Sequence, residues 1–317
     1  MAAGPGPDPP GPARRLARHG AARELVRGPR PGQRPRCQTL RHRRAHRPDR
    51  AGHAVTPAAG ARGRLPLPGP LFDFRVRLRP APASAEDLAA GLAAYGIRRA
   101  VVTPGGTAPL EQISRQFLRG GGIREDADNQ AVLKACAGLG GALVPCYFAN
   151  PHHPRAYAEQ ARDYAAVEIS PAVHGVPLAD PRTAALVATA AAVGHSVYTV
   201  CQPLPGSGVA DLVRLAAGFP SVPFVMGHCG IGNIDVYGIR LVRESPNIWI
   251  ETTGGYTVTL RAALAHLGAG RILFGSEHPL QSPGAELAKL AALGLDPTTW
   301  ARITWENAHR ILGEDIP

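Results

Sequence analysis

A (β/α)8 barrel is the fold class this sequence predicts. Eight short apolar or β-branched runs, at 71–78, 100–103, 143–148, 166–170, 197–201, 223–226, 248–251 and 271–275, alternate with Ala- and Leu-rich helical stretches. Strands separated by one helix each must run parallel and be buried on both faces, so they read as short continuous apolar runs. The 248 residues from Pro70 to Pro317 match the roughly 250 that such a barrel needs. A doubly wound open sheet would place a Gly-rich phosphate loop after its first strand. Here Arg79-Pro80-Ala81-Pro82 follows, and the chain has no GxGxxG or GxxxxGK.

The helical stretches have recognisable ends. Ser84 is placed to cap the first helix, with Asp87 in the capping-box position, and Gly96 stands where a left-handed stop is wanted. Asp180 precedes a helix expected over 183–193, which Gly194 ends. The barrel is expected to occupy 70–317.

Residues 1–69 read as a disordered, basic, Pro/Gly/Arg-rich N-terminal tail. The first aromatic residue of the chain is Phe72, so the segment has little to bury against the entropy of ordering it. Residues 1–64 hold fifteen Arg against Asp8, Glu24 and Asp49, and the rest of the chain is one charge from neutral. The net charge of +11 therefore belongs to the tail. A basic body would suggest nucleic acid as partner. This body does not, and the tail lacks the interleaved aromatics that stack on bases. It also lacks the apolar core of a secretory signal and the Ser-rich amphipathic pattern of a transit peptide. Two Lys among 35 basic residues point to GC-rich coding, and a dispensable or spurious extension, with a start near Val55, is the expected reading.

With 44% hydrophobic and 19% charged residues, the chain has ample material for a core. No apolar run approaches membrane-spanning length, so no membrane partner is expected. Five scattered cysteines without a CxxC pair argue against a disulfide scaffold and for a reducing, cytoplasmic setting.

In a (β/α)8 barrel functional groups project from the C-terminal strand ends. Those ends read Asp73-Phe74-Arg75-Val76-Arg77, Phe148-Ala149-Asn150, Glu168-Ile169-Ser170, Val200-Cys201-Gln202, Gly227-His228-Cys229-Gly230, Glu251-Thr252-Thr253 and Gly275-Ser276-Glu277-His278-Pro279. Further markers are Asn150-Pro151, Asp180-Pro181, Phe219-Pro220, Ser245-Pro246-Asn247 and the closing Glu306-Asn307-Ala308 with Ile311-Leu312. In this order, over about four-fifths of the chain, they resemble the amidohydrolase-related branch of the metal-dependent hydrolase superfamily, which includes metal-dependent decarboxylases.

The resemblance implies a His-x-His pair at the end of strand 1, a metal-binding His at strand 5, an acid/base His at strand 6 and an Asp at strand 8. Here those positions hold Arg75 and Arg77, Val200, His228 and Glu277. A guanidinium has no lone pair to offer and stays protonated. No metal site and no cofactor, zinc included, is therefore expected. The expected catalytic pair is His228 and Glu277, and the expected substrate-binding residues are Arg75, Arg77, Glu168 and Asn150, for a small acidic molecule. Hydrolase or decarboxylase-like lyase chemistry without the usual metal is one outcome. A relic pocket filled by salt bridges is another, and a non-catalytic ligand-binding or partner subunit is a third, as a homo-oligomer or beside an active paralogue.

Two arginines on one strand face repel unless an acid lies between them. That acid is either external, leaving an open cavity, or internal, leaving the guanidiniums paired with Glu168 or Glu277. His152, His153 and His278 read more simply as loop histidines, and Cys201 and Cys229 as packing thiols. Cys201 with His228 is a low-ranking nucleophile pair, since such chemistry needs thiol and imidazole in contact.

Overall fold

The computed structural model describes residues 68–80 and 84–317. The tail expected to be disordered lies, except for Pro68 and Gly69, outside the described residues. The strands are β1 (Leu71–Leu78), β2 (Ile97–Pro104), β3 (Leu143–Ala149), β4 (Ala166–Ile169), β5 (Ser196–Thr199), β6 (Phe224–Met226), β7 (Ile248–Glu251) and β8 (Ile272–Leu273). They lie side by side in sequence order, each pair parallel. The loop leaving β8 then meets β1. Phe74 N donates to Phe274 O at 2.8 Å, Glu277 N to Arg75 O at 2.6 Å and Arg77 N to His278 O at 2.7 Å, with a parallel bridge between Val76 and His278. The sheet closes on itself as the expected (β/α)8 barrel.

Every predicted strand is present, and the largest differences are at β2 and β8. β2 starts three residues earlier than its apolar run, because Arg98 and Arg99 extend it while keeping their charges outward. Arg99 reaches Glu314, at 2.6 and 3.0 Å. β8 is shorter, because the chain beyond Leu273 turns to carry Ser276 and Glu277 to β1. Ser84 accepts from Asp87 N at 2.9 Å, as its capping role requires, and Gly96 has φ +81°. The helix after Asp180 begins at Pro181, two residues before the expected start, since proline is pre-organised for a first helical position.

Two layers of apolar side chains hold the barrel. Phe72, Phe74, Val101, Val144, Cys146, Ala166, Tyr198, Val225 and Leu273 fill its interior. Leu71, Val76, Leu78 and their counterparts face the helices instead. Each fully buried Phe or Leu contributes about 1.5–3 kcal/mol. Along β1 the inward positions would be 72, 74 and 76, but a register shift between Asp73 and Val76 resets the alternation. Such a bulge re-aims side chains, and this one turns Arg75 and Arg77 inward and Val76 outward.

The C-terminal motif closes the far end of the barrel. Ala308 and Ile311 join the interior layer, and Trp305 and His309 pack on Phe72 with ring centroids 6.1 and 5.1 Å away. Asn307 Nδ2 donates to Ala269 O and Ile272 O, each at 2.7 Å. Asn247, before β7, similarly ties three carbonyls, of Ala216, Phe219 and Val222. Among the described residues no helix is long and apolar enough to cross a membrane.

Candidate functional site

The inward-turned arginines meet one acid. Arg75 Nη1 and Nη2 donate to Glu168 Oε2 and Oε1 at 2.6 and 2.8 Å, and Arg77 Nη1 and Nη2 donate to the same oxygens at 3.2 and 3.1 Å. The Arg75 and Glu168 side chains are 2% and 1% exposed, so this carboxylate between two guanidiniums is effectively out of water. The acid that separates the arginines is internal. Of the two arrangements left open above, the internal one is present: Glu168 on β4 reaches across the barrel and takes the place an external anion between Arg75 and Arg77 would need.

Glu277 stands at the edge of this cluster, with Oε1 3.5 Å from Arg75 and 3.6 Å from Arg77. Its other oxygen is 3.1 Å from His228 Nε2. The two expected catalytic residues are therefore a hydrogen-bonded pair at the barrel mouth, 23% and 15% exposed. Both have left-handed backbones, φ 57° for His228 and 53° for Glu277. Non-glycine residues pay for that conformation, and it persists only where the surroundings impose it.

Beneath the pair lies a layer not anticipated from the sequence. The Tyr198 ring stacks under the Arg75 guanidinium at 4.2 Å, and its hydroxyl donates to Glu251 Oε2 at 3.0 Å. Glu251 also accepts from His228 N at 3.3 Å and from Thr253 N and Oγ1, both at 2.5 Å. Tyr198 sits two residues before Val200 on β5 and shares its inward face. Val200 itself is half-buried against the interior layer. Asp73, fully buried, accepts from Ser276 Oγ at 2.5 Å, Ser276 N at 2.9 Å and Arg75 N at 3.0 Å, pinning the bulge to the β8 loop.

Two glycines make room for this layer. A Cβ at Gly227 would collide with the Tyr198 hydroxyl, and one at Gly275 would collide with Glu251 Oε1 while lying 2.9 Å from Arg75 Cβ. Overpacking a filled interior costs about 1–3 kcal/mol. Gly275→Ala is expected to lower stability by about that much in urea unfolding, and an unchanged midpoint would mean that the layer yields freely.

The charge states follow from the contacts. Burial pushes Glu168 up, but Arg75 and Arg77 outweigh it and hold the carboxyl below the usual range. Burial works against Arg75 too, and Glu168 keeps it protonated. Glu277 is likewise pushed up by burial and pulled down further by its bond to His228 and by both arginines. Burial lowers His228, but the hydrogen bond and charge of Glu277 raise it above the ordinary imidazole value. Tyr198 is raised well above its usual value, chiefly by burial. Asp73 is pushed up to about 7 by burial, against its three hydrogen bonds.

The other candidates lie apart from this cluster. Asn150 is buried, but it braces a loop: Nδ2 donates to Arg124 O and Asp126 Oδ1 at 2.7 and 2.8 Å, and Oδ1 accepts from His152 N at 2.9 Å. In this residue, expected to contact substrate, both ends of the amide are engaged in bracing the loop. His152 bonds to His174 O and to Arg182, and His153 lies 3.0 Å from Asp126. Cys201 and Cys229 are buried packing thiols whose pKa burial raises. The low-ranking Cys201–His228 pair is not formed, since no contact joins the two.

The donor set does not fit the metal that the resemblance implies. Arg75 and Arg77 cannot ligate, Val200 is a hydrocarbon, and His228 and Glu277 are bonded to each other. A catalytic zinc takes three protein ligands. Among the described residues no group of three or more His, Cys, Asp or Glu could hold a metal ion.

An eight-stranded parallel barrel with its polar residues gathered at the C-terminal strand ends defines the (β/α)8 architecture. The amidohydrolase family model matches residues 44–313, and the chain belongs to that family. Its fold is similar to the crystal structure of 5-carboxyvanillate decarboxylase from Sphingomonas paucimobilis (TM-score 0.57, 14% identity, 78% of this chain and 99% of that one). It is also similar to 2,6-dihydroxybenzoate decarboxylase from Rhizobium (0.56, 14%, 78% and 99%). A third structure, a candidate 2-pyrone-4,6-dicarboxylic acid hydrolase from Pseudomonas putida, is similar at 0.58 and 19% (78% and 98%). No curated protein sequence matches the chain.

Proposed function

We propose that this chain is an amidohydrolase-family barrel that has given up metal-assisted hydrolysis and serves as a non-catalytic ligand-binding or partner subunit. The observation that carries this reading is the convergence of four N–H groups from Arg75 and Arg77 on Glu168. Hydrolysis needs an activated water, from a Lewis acid or from a base poised near neutral pH. Neither is at hand. His228 and Glu277 are hydrogen-bonded to each other, a contact that against burial raises the imidazole pKa and lowers the carboxyl pKa, and the Tyr198 hydroxyl already donates to Glu251. Asp73, pushed up to about 7 by burial, is sealed under Ser276. The cations Arg75, Arg77 and His228 are matched by Glu168, Glu277 and Glu251, so the mouth keeps little net charge for a substrate.

A second reading rests on the His228–Glu277 pair. An imidazolium that is partly exposed and held on a strained backbone is a proton donor. On this reading a small aromatic carboxylate takes the His228 Nε2 proton with a ring π pair at the carbon bearing its carboxylate group. The C–CO2 bond then breaks, its electron pair returns to the carbon, CO2 leaves and water reprotonates the imidazole. The chemistry of the decarboxylases named above supports this alternative.

Metal content tests what both readings share, and turnover separates them. Freshly purified protein is expected to hold far less than stoichiometric zinc, manganese or iron, and a chelator is expected to leave its melting temperature unchanged. Stoichiometric metal would overturn the metal-free reading. Incubation with 2,6-dihydroxybenzoate, 5-carboxyvanillate and 2-pyrone-4,6-dicarboxylate is expected to give no turnover. CO2 release that His228→Asn abolishes would establish the second reading instead.

A further inference from the structure

We infer that a second copy of this chain docks on an apolar face formed by the starts of the helices Val236–Val242 and Thr257–Leu267. Eight large apolar side chains are exposed among the described residues, and four of them, Ile234, Tyr237, Tyr256 and Val258, gather here. Asn233 O ties the two helix starts together, accepting from Tyr256 N and from Thr259 Oγ1, each at 2.8 Å. The four therefore form one patch, and a patch asks for a partner where scattered apolar residues do not.

A whole aromatic side chain covers about 150–250 Å². Tyr237 and Tyr256, 73% and 55% exposed, with Ile234 and Val258, 59% and 50%, thus present on the order of 400 Å². A standard interface buries about 800 Å² per partner, rather more than half of it apolar, so this face supplies most of the apolar area of one. Its charged residues fit the same use. Arg240 and Arg261 are exposed three residues beyond Tyr237 and Val258, on the same helix faces. Neither side chain makes a hydrogen bond or ion pair among the described residues. Tyrosine and arginine are the residues that interfaces gather. Each copy holds both halves of a Tyr–Arg stack, so across a two-fold axis the guanidiniums of one copy meet the rings of the other. Residues 1–64 are a poor occupant, because their fifteen Arg against three acids are repelled by the same two arginines.

Sedimentation velocity of the full chain from about 1 to 100 µM is expected to show a monomer–dimer equilibrium. Tyr237→Glu and Val258→Glu are each expected to weaken association at least about ten-fold, with the circular dichroism spectrum unchanged. Leu118→Glu, at an exposed apolar residue outside this face, is expected to leave the dimer intact. A chain that stays monomeric throughout the range would overturn the face, whether the N-terminal segment or another protein is its occupant. A dimer indifferent to both Tyr237→Glu and Val258→Glu would overturn it too. The inference names the partner in the partner-subunit reading and rests on that reading only there. Turnover by a dimer that needs Tyr237 would sink that reading and keep the face, whereas a monomer without turnover would sink the face and keep the reading.

Discussion

Glu168→Gln is expected to cost about 3–5 kcal/mol of stability, the largest effect of any single polar substitution in the barrel. Removing this charge leaves the Arg75 and Arg77 guanidiniums facing each other with only the more distant Glu277 between them. Arg75 is almost completely buried and cannot turn to water for relief. The loss is a penalty for stranding a buried charge and does not measure what the intact cluster contributes. Replacing Glu168, Arg75 and Arg77 together by apolar residues of similar volume is therefore expected to recover much of it, because no ion then remains to be solvated. Chemical denaturation of the single and triple variants checks both halves. A Glu168→Gln variant within about 0.5 kcal/mol of the parent, the ordinary range for a surface substitution, would mean that water reaches the guanidiniums and that the centre is not sealed.

That cluster also shows where reading the chain as a string of residues stops. All eight strands were legible, because a strand buried on both faces must be apolar throughout. Arg98 and Arg99 hid the start of β2 because their stems extend a strand whose charged ends leave it. His228 and Glu277 were both named as candidates, but their contact joins the ends of β6 and β8 across the intervening β7 and only the closed barrel brings them together. The shared face of Arg75 and Arg77, two residues apart, was legible. The partner that closes on them was named among the candidates, but its role was not decidable. Whether Glu168 reaches Arg75 depends on the diameter of the closed barrel and on the bulge at Asp73–Val76, and neither leaves a local mark in the sequence. Tyr198 and Glu251 were missed for a related reason. Each is an ordinary strand residue until closure stacks the Tyr198 ring under a guanidinium and aims its hydroxyl at the carboxylate. The signal that could have found Tyr198 is its spacing of two from Val200. Gly227 and Gly275 would then have been explained by the bulk of what lies against them.

The stability lent by the His228–Glu277 pair is expected to be about 1.5–3 kcal/mol and to vanish at both ends of the pH scale. The two groups set opposite edges. His228 has its pKa raised above the ordinary imidazole value of 6.5, so its share is fully present below pH 6.5 and is lost as pH rises through the folded value. Glu277 is held below the ordinary carboxyl value of 4.5, so its share is fully present above pH 4.5 and is lost as pH falls through the folded value. Parent and His228→Asn should therefore differ most between about pH 4.5 and 6.5 and converge on the alkaline side. A difference is the right quantity, because other groups shape the whole profile. His174, His195 and His278 are lowered by burial, so their contribution is present above 6.5 and lost as pH falls. Asp73, raised from 3.8 to about 7, contributes most below 3.8 and less as pH climbs to about 7. These terms are common to parent and variant, and they cancel to the extent that Arg75 and Glu251, the other charges facing His228, stay in place. Urea unfolding of both proteins from pH 4 to 9 makes the measurement. A gap that stays constant across that range would show that His228 is neutral throughout and is bonded to Glu277 as a simple donor, which would also remove the imidazolium from which any proton donation at this mouth would have to start.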